Sequence, residues 1–254
     1  MAEVVSDSAS RGDGSPDVRD VGDGLGVPNA MWTFGEETAE VFAAHARRSI
    51  PMYDLGHQLI VELSDFFVHD RSTVYDIGTS LGELLALLAD RHHGRKSISW
   101  VGIDIEPAMV ERARKRIQGR SNVSVELGDV LDYPFKNADL IISYYCLQFV
   151  APKHRQDLVS RIFHSLNWGG GFLWFEKVRG EDARFQDIFS AAYVEYKLSQ
   201  GYTPAEILAK ARALKGVLEP FSSPANREIL RRAGFVDMTT VFRYLCFEGV
   251  LAIK

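Results

Sequence analysis

The feature that most constrains the fold is a repeated alternation of strand and helix patterns between residues 72 and 178. Short apolar segments read "STVYDIG", "SISWVGID", "NVSVELGD", "ADLIISYYCL" and "GFLWFEKV". Helical patterns such as "LGELLALLADRHH" and "KHRQDLVSRIFHSL" stand between them. Strands joined by helices predict a parallel sheet that is covered on both faces. The closely spaced "FVDMTTVFRY" and "LCFEGVLAIK" predict two further strands that are antiparallel neighbours. The fold class is therefore α/β, with a doubly wound, mostly parallel, seven-stranded sheet.

Three segments lie outside this alternation. Residues 1–29 are rich in Gly, Asp and Ser and lack aromatic residues, which predicts a disordered N-terminal tail. Residues 30–70 predict two N-terminal helices, and residues 181–218 predict an inserted helix pair. We therefore expect a single domain over residues 30–254. After the insertion, "SPANREILRRAGF" predicts a helix that opens at a Ser cap and ends at Gly234.

Composition excludes several classes of partner. The chain has 254 residues and a formal net charge of −5, so no global charge attracts nucleic acid or anionic membrane. No apolar stretch approaches the ~20 residues that span a bilayer, and the N-terminus lacks a signal-peptide pattern. Cys146 and Cys246 lie in apolar runs, which favours reduced thiols in a cytoplasmic protein. The seven histidines show no paired spacing, so we expect no metal.

The turn in "YDIGTSLG", residues 75–82, differs from both common phosphate-binding turns. A dinucleotide turn would carry its second glycine at position 80, where this chain has Ser80. A triphosphate loop would need Gly-Lys-Ser/Thr, which is missing. Gly78 still allows a ligand to approach the backbone. Asp76 would repel an anion but suits an ammonium group.

Acidic residues also follow the next two strands. Asp104 ends "VGID" and can accept hydrogen bonds from both hydroxyls of a ribose. Asp129 ends "ELGD" and can accept from an adenine amino group. A single Asp or Gly at a strand end is commonly only turn chemistry. Together, in order, these residues favour a nucleoside with a cationic tail and no phosphate, a description that S-adenosylmethionine fits.

Several longer motifs carry a family resemblance from about Trp32 to Lys254. The chain resembles the class I S-adenosylmethionine-dependent methyltransferases. Within them it is most similar to the carboxy-S-adenosylmethionine synthases, which combine S-adenosylmethionine with prephenate. The segments that carry the resemblance are "WTF", "AEVF", "RSIPMY", "YDIGTSLG", "DIEPAM", "LQF", "FEK" and "GY".

The resemblance implies a set of cofactor contacts and an assembly. Carried over by position, the contacts fall on Tyr53, Gly78, Thr79, Ser80, Asp104, Ile105, Asp129 and Val130. The family forms dimers in which the inserted helices reach toward the partner's site. The many apolar positions of residues 181–218 agree with this, so we expect a homodimer; they include Phe185, Ile188, Phe189, Tyr193 and Ile207.

Two positions depart from the family pattern. Tyr144 stands where the synthases have an Asn at the end of the fourth strand. Ala211 stands where they place an Arg that holds the extra carboxylate of the modified cofactor. A carboxylate without a guanidinium loses a strong bidentate contact. These departures favour ordinary methyl transfer to a small, acidic metabolite. A 2-oxo acid methylated on carbon is one possibility, which is suggested only by the prephenate that the resembling family uses. Carboxy-S-adenosylmethionine synthesis from prephenate is the alternative, and a non-catalytic cofactor-binding protein is a third reading.

Further residues are candidates for the substrate side. Tyr144 is a candidate for removing an acceptor proton. Arg48 is a candidate for binding an acidic substrate, with a surface salt bridge as the alternative. Tyr202 belongs to the inserted helices and is expected to reach the pocket of either subunit. A sulfonium is favoured by aromatic faces, and the candidates to line the site are Trp32, Phe34, Tyr53, Tyr144 and Tyr145.

Overall fold

The computed structural model describes residues 18–28 and 30–254. Its centre is a seven-stranded sheet with strand order β5-β4-β3-β6-β7-β9-β8. The strands are β3 Thr73–Ile77, β4 Ser99–Asp104, β5 Val123–Leu127, β6 Ala138–Tyr144, β7 Leu166–Lys177, β8 Asp237–Tyr244 and β9 Phe247–Ile253. β3 to β7 pair in parallel, and β9 is antiparallel to both β7 and β8. The predicted fold class is confirmed.

Helices cover both faces of this sheet. They are α1 Glu36–Ser49, α2 Tyr53–Ser64, α3 Glu83–Arg91, α4 Pro107–Arg116, α5 Pro152–Ser165, α6 Ala183–Ser199, α7 Pro204–Ala213 and α8 Ser223–Ala233. On one face α3 and α4 bury side chains such as Leu88 and Ala113. On the other face α5 and α8 bury Ile162 and Leu230. The chain enters at the centre, runs outward to β5 and returns to β6. The connections after β3 and β6 therefore lead to helices on opposite faces of the sheet, α3 and α5, and doubly wound sheets bind ligands at this point.

Local signals fix the ends of the later helices. The Asp182 side chain accepts hydrogen bonds from two backbone N–H groups at the start of α6, and Thr203 and Glu206 form a capping box at α7. The sequence predicted a Ser cap at Ser223, the first residue of "SPANREILRRAGF"; the observed cap of α8 is Ser222, one residue earlier, which accepts from the Ala225 N–H. Gly234 ends this helix with φ at +119°, a conformation that glycine adopts without strain.

The N-terminal segment differs from the sequence prediction. Residues 18–28 are ordered and form a small antiparallel hairpin of β1 Arg19–Asp20 and β2 Gly26–Val27. Val21 and Leu25 are buried in a cluster with Trp32 and α7. The prediction of a disordered segment over residues 1–29 is therefore wrong for residues 18–28, because docking on the inserted helix supplies the apolar contacts that the segment lacks by itself. Residues 1–17 and residue 29 lie outside the described residues.

Within residues 18–28 and 30–254, no helix is both long and apolar enough to cross a membrane.

Candidate active site

A cavity of about 530 Å³ opens at the carboxyl ends of β3, β4, β5 and β6. Its size lies within the range of ordinary small-molecule sites. The helices α1, α2, α6 and α7 complete the wall opposite the sheet. All ten positions that the sequence assigns to the cofactor line this cavity: Tyr53, Asp76, Gly78, Thr79, Ser80, Asp104, Ile105, Asp129, Val130 and Tyr144. The five aromatic candidates, among them Trp32, Phe34 and Tyr145, line it as well.

The turn after β3 is shaped by its backbone. Gly78 has φ at +69°, and a Cβ atom added there would lie 2.4 Å from Cys146 Sγ. Only glycine therefore fits between β3 and the end of β6. Ser80 also has a positive φ, +51°, and its N–H donates to Asp104 Oδ2 at 2.8 Å. The turn is thus tied to the end of the neighbouring strand.

Asp76 is buried at the base of this turn. Its Oδ2 accepts a hydrogen bond from Thr79 Oγ1 at 2.7 Å. Burial raises the pKa of Asp76 to about 7, with a smaller contribution from the charge of Asp104. A buried carboxyl with a raised pKa is stabilised in its ionised form by a cation. The side chain therefore suits a ligand that carries an ammonium group.

Asp104 and Asp129 complete a row of three carboxyl groups at consecutive strand ends. Asp104 accepts from the Ser80 N–H through Oδ2 and from the Glu106 N–H through Oδ1, at 2.8 and 3.0 Å. Burial raises its pKa despite these bonds. Asp129 Oδ1 accepts from the Leu131 N–H at 2.9 Å. Backbone N–H groups orient Asp104 and Asp129, the Thr79 hydroxyl orients Asp76, and a carboxylate oxygen can accept from a second donor. The row provides acceptors for hydroxyl, amino and ammonium groups, so it fits the cofactor expected from the sequence.

Tyr144 does not have the geometry of a base. Its hydroxyl donates to the Tyr53 carbonyl oxygen at 2.6 Å, and its ring packs 4.7 Å from the His57 ring centroid. Burial, with the nearby Tyr145 hydroxyl, raises the pKa of Tyr144 far above its ordinary value. This geometry argues against the prediction that Tyr144 removes an acceptor proton, because its hydrogen is already donated to a backbone carbonyl and burial disfavours the phenolate. Tyr144 instead joins β6 to the start of α2.

Arg48 and Tyr202 lie behind the cavity wall and do not line it. Arg48 forms an ion pair with Asp23 of the hairpin and donates to the Gln200 carbonyl oxygen at 3.1 Å. The Tyr202 hydroxyl contacts Asp23 Oδ2 at 3.0 Å and Ser49 Oγ at 3.1 Å. The substrate roles predicted for these two residues are wrong within this chain. Both side chains instead contact Asp23, which the sequence analysis assigned to a disordered tail.

Three lysines that sequence reasoning missed line the cavity instead: Lys177, Lys197 and Lys210. Lys210 donates to Ser49 Oγ at 2.7 Å and to His45 Nε2. Since Nε2 accepts, the hydrogen of His45 belongs on Nδ1, which donates to Asp23 Oδ2 at 2.5 Å. Burial lowers the pKa of His45 to about 4, so this imidazole is neutral at pH 7. Lys177 could have been found from the sequence, because it is the last residue of β7 and ligands bind at the carboxyl ends of parallel strands. Lys197 and Lys210 lie on helices, and no sequence pattern marked them as site residues.

Comparison with known proteins agrees with this geometry. A family profile described as a methyltransferase domain matches residues 74–170. The carboxy-S-adenosyl-L-methionine synthase of Staphylococcus epidermidis is 34% identical over 225 residues, 88% of this chain and 97% of that protein. The synthase of Wolinella succinogenes is 37% identical over 226 residues, 88% of this chain and 94% of that protein. The chain belongs to the carboxy-S-adenosylmethionine synthase family.

Solved structures agree on the fold. Human N-acetylserotonin methyltransferase in complex with SAM superposes with a TM-score of 0.60 at 21% identity, covering 86% of this chain. The S-adenosylmethionine-dependent methyltransferase SibL superposes with a TM-score of 0.59 at 19% identity, covering 85% of this chain. This chain spans 56% and 58% of those two proteins, so the likeness concerns their shared fold.

Membership of this family confirms three predictions from the sequence. The fold is that of class I methyltransferases, the protein is an S-adenosylmethionine-dependent enzyme, and S-adenosylmethionine is its cofactor. The individual cofactor contacts remain predictions, although all of them line one cavity.

Proposed function

We propose that this enzyme transfers the methyl group of S-adenosylmethionine to a small acidic metabolite. One observation carries the proposal: a single cavity runs from the three carboxyl groups at the strand ends to a wall that carries lysines. The acidic end suits a cationic nucleoside. The basic end suits an anion beside it.

The orientation of the cofactor follows from the three carboxylates. Asp76 would hold the ammonium group, Asp104 the ribose hydroxyls and Asp129 the adenine amino group. Tyr53 and Tyr144, whose ring centroids lie 5.2 Å apart, would present aromatic surface to the sulfonium. S-adenosylmethionine supplies a methyl group on a cationic sulfur. The residues of the chain bind, orient and exclude water, and transfer then depends on alignment of the acceptor.

The acceptor proton needs a destination other than Tyr144. A substrate needs no strong protein base if its acceptor atom is already anionic. The same holds if the acceptor is a carbon next to a carbonyl, because the hydrogen on that carbon is acidic. A 2-oxo acid methylated on carbon belongs to this group. We therefore propose an acidic substrate whose own nucleophilic atom attacks the methyl group without activation by a protein base.

Carboxy-S-adenosylmethionine synthesis is the second candidate, and the full-length similarity to proteins of that name favours it. Ala211 argues against it, because this residue lines the cavity where the synthases carry the arginine for the extra carboxylate. Tyr144 also differs, since its bulky ring and its bond to Tyr53 fill the space beside β6. Both residues that differ from the synthase pattern, Ala211 and Tyr144, line the cavity, and for this reason we favour methyl transfer over carboxy-S-adenosylmethionine synthesis.

A labelled-methyl assay tests the proposal. The protein is incubated with S-adenosylmethionine that carries a labelled methyl group, together with a panel of 2-oxo and dicarboxylic acids that includes prephenate. Appearance of a labelled acid with an equal amount of S-adenosylhomocysteine supports methyl transfer. Conversion of the cofactor to a carboxylated nucleoside in the presence of prephenate would instead establish the second candidate.

We further propose a cytoplasmic homodimer. Phe185 and Ile188 of α6 are about half exposed, at 48% and 59%, and Leu208 of α7 is 52% exposed. By contrast, Phe189 and Tyr193 pack against the core, and Ile207 lines the cavity. Isologous pairing is the commonest arrangement of homodimers. Light scattering at micromolar concentration tests this, and a folded, active monomer would contradict it.

A further inference from the structure

Three aromatic side chains that line the cavity are in mutual contact: Tyr53, His57 and Tyr144. The ring centroid of Tyr144 lies 5.2 Å from that of Tyr53 and 4.7 Å from that of His57. The centroids of Tyr53 and His57 lie 4.6 Å apart. The Tyr144 hydroxyl also donates to the Tyr53 carbonyl oxygen, so the contact between β6 and α2 is fixed by a hydrogen bond as well as by packing. We call these three side chains the aromatic wall.

Gly56 makes room for the Tyr144 side chain in this wall. A Cβ atom added to Gly56 would lie 2.2 Å from Tyr144 Oη and 3.0 Å from two carbon atoms of its ring. Gly56 lies inside α2, where glycine makes a helix less stable than alanine does. Contact with Tyr144, and not the needs of the helix, therefore accounts for the glycine.

His57 can lie beside a cation because its ring carries no charge at pH 7. Burial lowers the pKa of His57 to about 4, and the charges of Asp54 and Arg47, which form an ion pair with each other, shift it in opposite directions. Neither ring nitrogen has a hydrogen-bonding partner among the described residues. A neutral imidazole keeps a free lone pair on one nitrogen. The ring is therefore an uncharged aromatic surface with an unused acceptor, and both features suit a positively charged neighbour.

The expected position of the cationic sulfur is close to the aromatic wall. The sulfonium joins the part of the cofactor that carries the ammonium group to the ribose, so in the proposed orientation it lies between Asp76 and Asp104. Burial raises the pKa of Tyr53, and nearby charges that include Asp76 add to this effect. Tyr53 is therefore near the Asp76 end of the cavity. Aromatic faces attract a cation, and the attraction is stronger where water is excluded.

We propose that Tyr53, His57 and Tyr144, with Gly56 behind them, form an aromatic subsite for the sulfonium that distinguishes S-adenosylmethionine from S-adenosylhomocysteine. This inference rests on the cofactor orientation in the proposed function and adds His57 and Gly56 to the site. The sulfur loses its positive charge when the methyl group leaves. The subsite therefore binds the cofactor more strongly before transfer than after it, relative to a site without these rings.

Calorimetry with both forms of the cofactor tests the subsite. Tyr144→Leu and His57→Leu should each weaken binding of S-adenosylmethionine by about two- to thirty-fold more than binding of S-adenosylhomocysteine, the range of one cation–π contact. Sinefungin, which has an ammonium group in place of the methylated sulfur, should follow S-adenosylmethionine, because the charge and not the methyl group is recognised. The control Tyr244→Leu makes the same change in a tyrosine that does not line the cavity and should leave all three affinities unchanged.

A double-mutant cycle tests the part played by Gly56. Gly56→Ala should also weaken S-adenosylmethionine more than S-adenosylhomocysteine, because the added methyl group displaces the Tyr144 ring. In the Tyr144→Leu background the same change should leave the ratio of the two affinities as it is, since the ring that it displaces is gone. An equal effect in both backgrounds would remove Gly56 from the proposal. Gly56→Ala keeps all three rings, so it tests the subsite even if a leucine variant does not fold.

The outcomes separate the subsite from the proposed function. If Tyr144→Leu and His57→Leu weaken both forms of the cofactor equally, the rings act by packing alone, so the subsite is overturned and the proposed function survives. The same holds if His57→Phe or Tyr144→Phe, which keep an aromatic ring, lose the parent's ratio of affinities as fully as the leucine variants do. If the parent binds neither S-adenosylmethionine nor S-adenosylhomocysteine, the proposed function fails first.

Discussion

Asp104 offers the sharpest test of how the strand ends bind the cofactor. Its carboxylate is fixed by two backbone donors, the Ser80 and Glu106 N–H groups, and its remaining acceptor positions line the cavity. Asp104→Asn keeps the shape of the side chain but removes its charge and replaces one acceptor with a donor. Losing one charge-assisted hydrogen bond to a ribose hydroxyl costs about 1.5–3 kcal/mol. Affinity for the nucleoside should therefore fall by about ten- to 150-fold.

Isothermal titration calorimetry with S-adenosylhomocysteine measures this loss without turnover. Asp132→Asn is the matched control, because Asp132 follows β5 closely but does not line the cavity. It should bind like the parent, and both variants should keep a cooperative thermal transition. Unchanged affinity of Asp104→Asn would mean that the ribose does not lie at the end of β4. An equal loss in Asp132→Asn would mean that only net charge matters.

Three further predictions concern the same cavity. Gly78→Ala should destabilise the protein by about 1–3 kcal/mol, because it forces a side chain into a positive-φ turn and against Cys146. The control Gly94→Ala, in open space, should change the free energy of unfolding by under about 0.5 kcal/mol, and denaturant titration measures both variants. The pKa of Asp76 is about 7 in the ligand-free protein and an ammonium favours the ionised form, so affinity for S-adenosylhomocysteine should rise as the pH increases from about 6 to 7.5. If calorimetry on the parent shows the same affinity across this pH range, Asp76 is not the partner of the ammonium group. In competition calorimetry, Ala211→Arg should weaken binding of S-adenosylmethionine and strengthen binding of its carboxylated form, since only the extra carboxylate pairs with the added guanidinium. Stronger binding of S-adenosylmethionine and weaker binding of the carboxylated form would show that residue 211 does not face the sulfur.

The acidic end of the site could be predicted from the sequence because its signals are local. Asp76, Gly78, Asp104 and Asp129 each lie in or just after the last residues of a strand pattern, and parallel strands bring their carboxyl ends to one edge. The position of each residue along the chain therefore fixed its place in the fold. The alternation of strand and helix patterns predicted the sheet for the same reason.

The basic end could not be predicted in this way. Lys197 and Lys210 lie on helices whose buried faces depend on tertiary packing, and Asp23 lies in a short hairpin that packs against α7 and contacts α1. Arg48 was therefore assigned to the substrate, because its actual partner is 25 residues away in a segment without strong secondary-structure signals. Tertiary contact determines the role of each of these residues, and no local pattern records it.

A direct competition between the two forms of the cofactor tests the central claim most closely. The purified protein is titrated with S-adenosylmethionine and, separately, with carboxy-S-adenosylmethionine, and each ligand is then used to displace the other. Our account predicts tighter binding of S-adenosylmethionine, because Ala211 provides no guanidinium for the extra carboxylate. Tighter binding of carboxy-S-adenosylmethionine would contradict it.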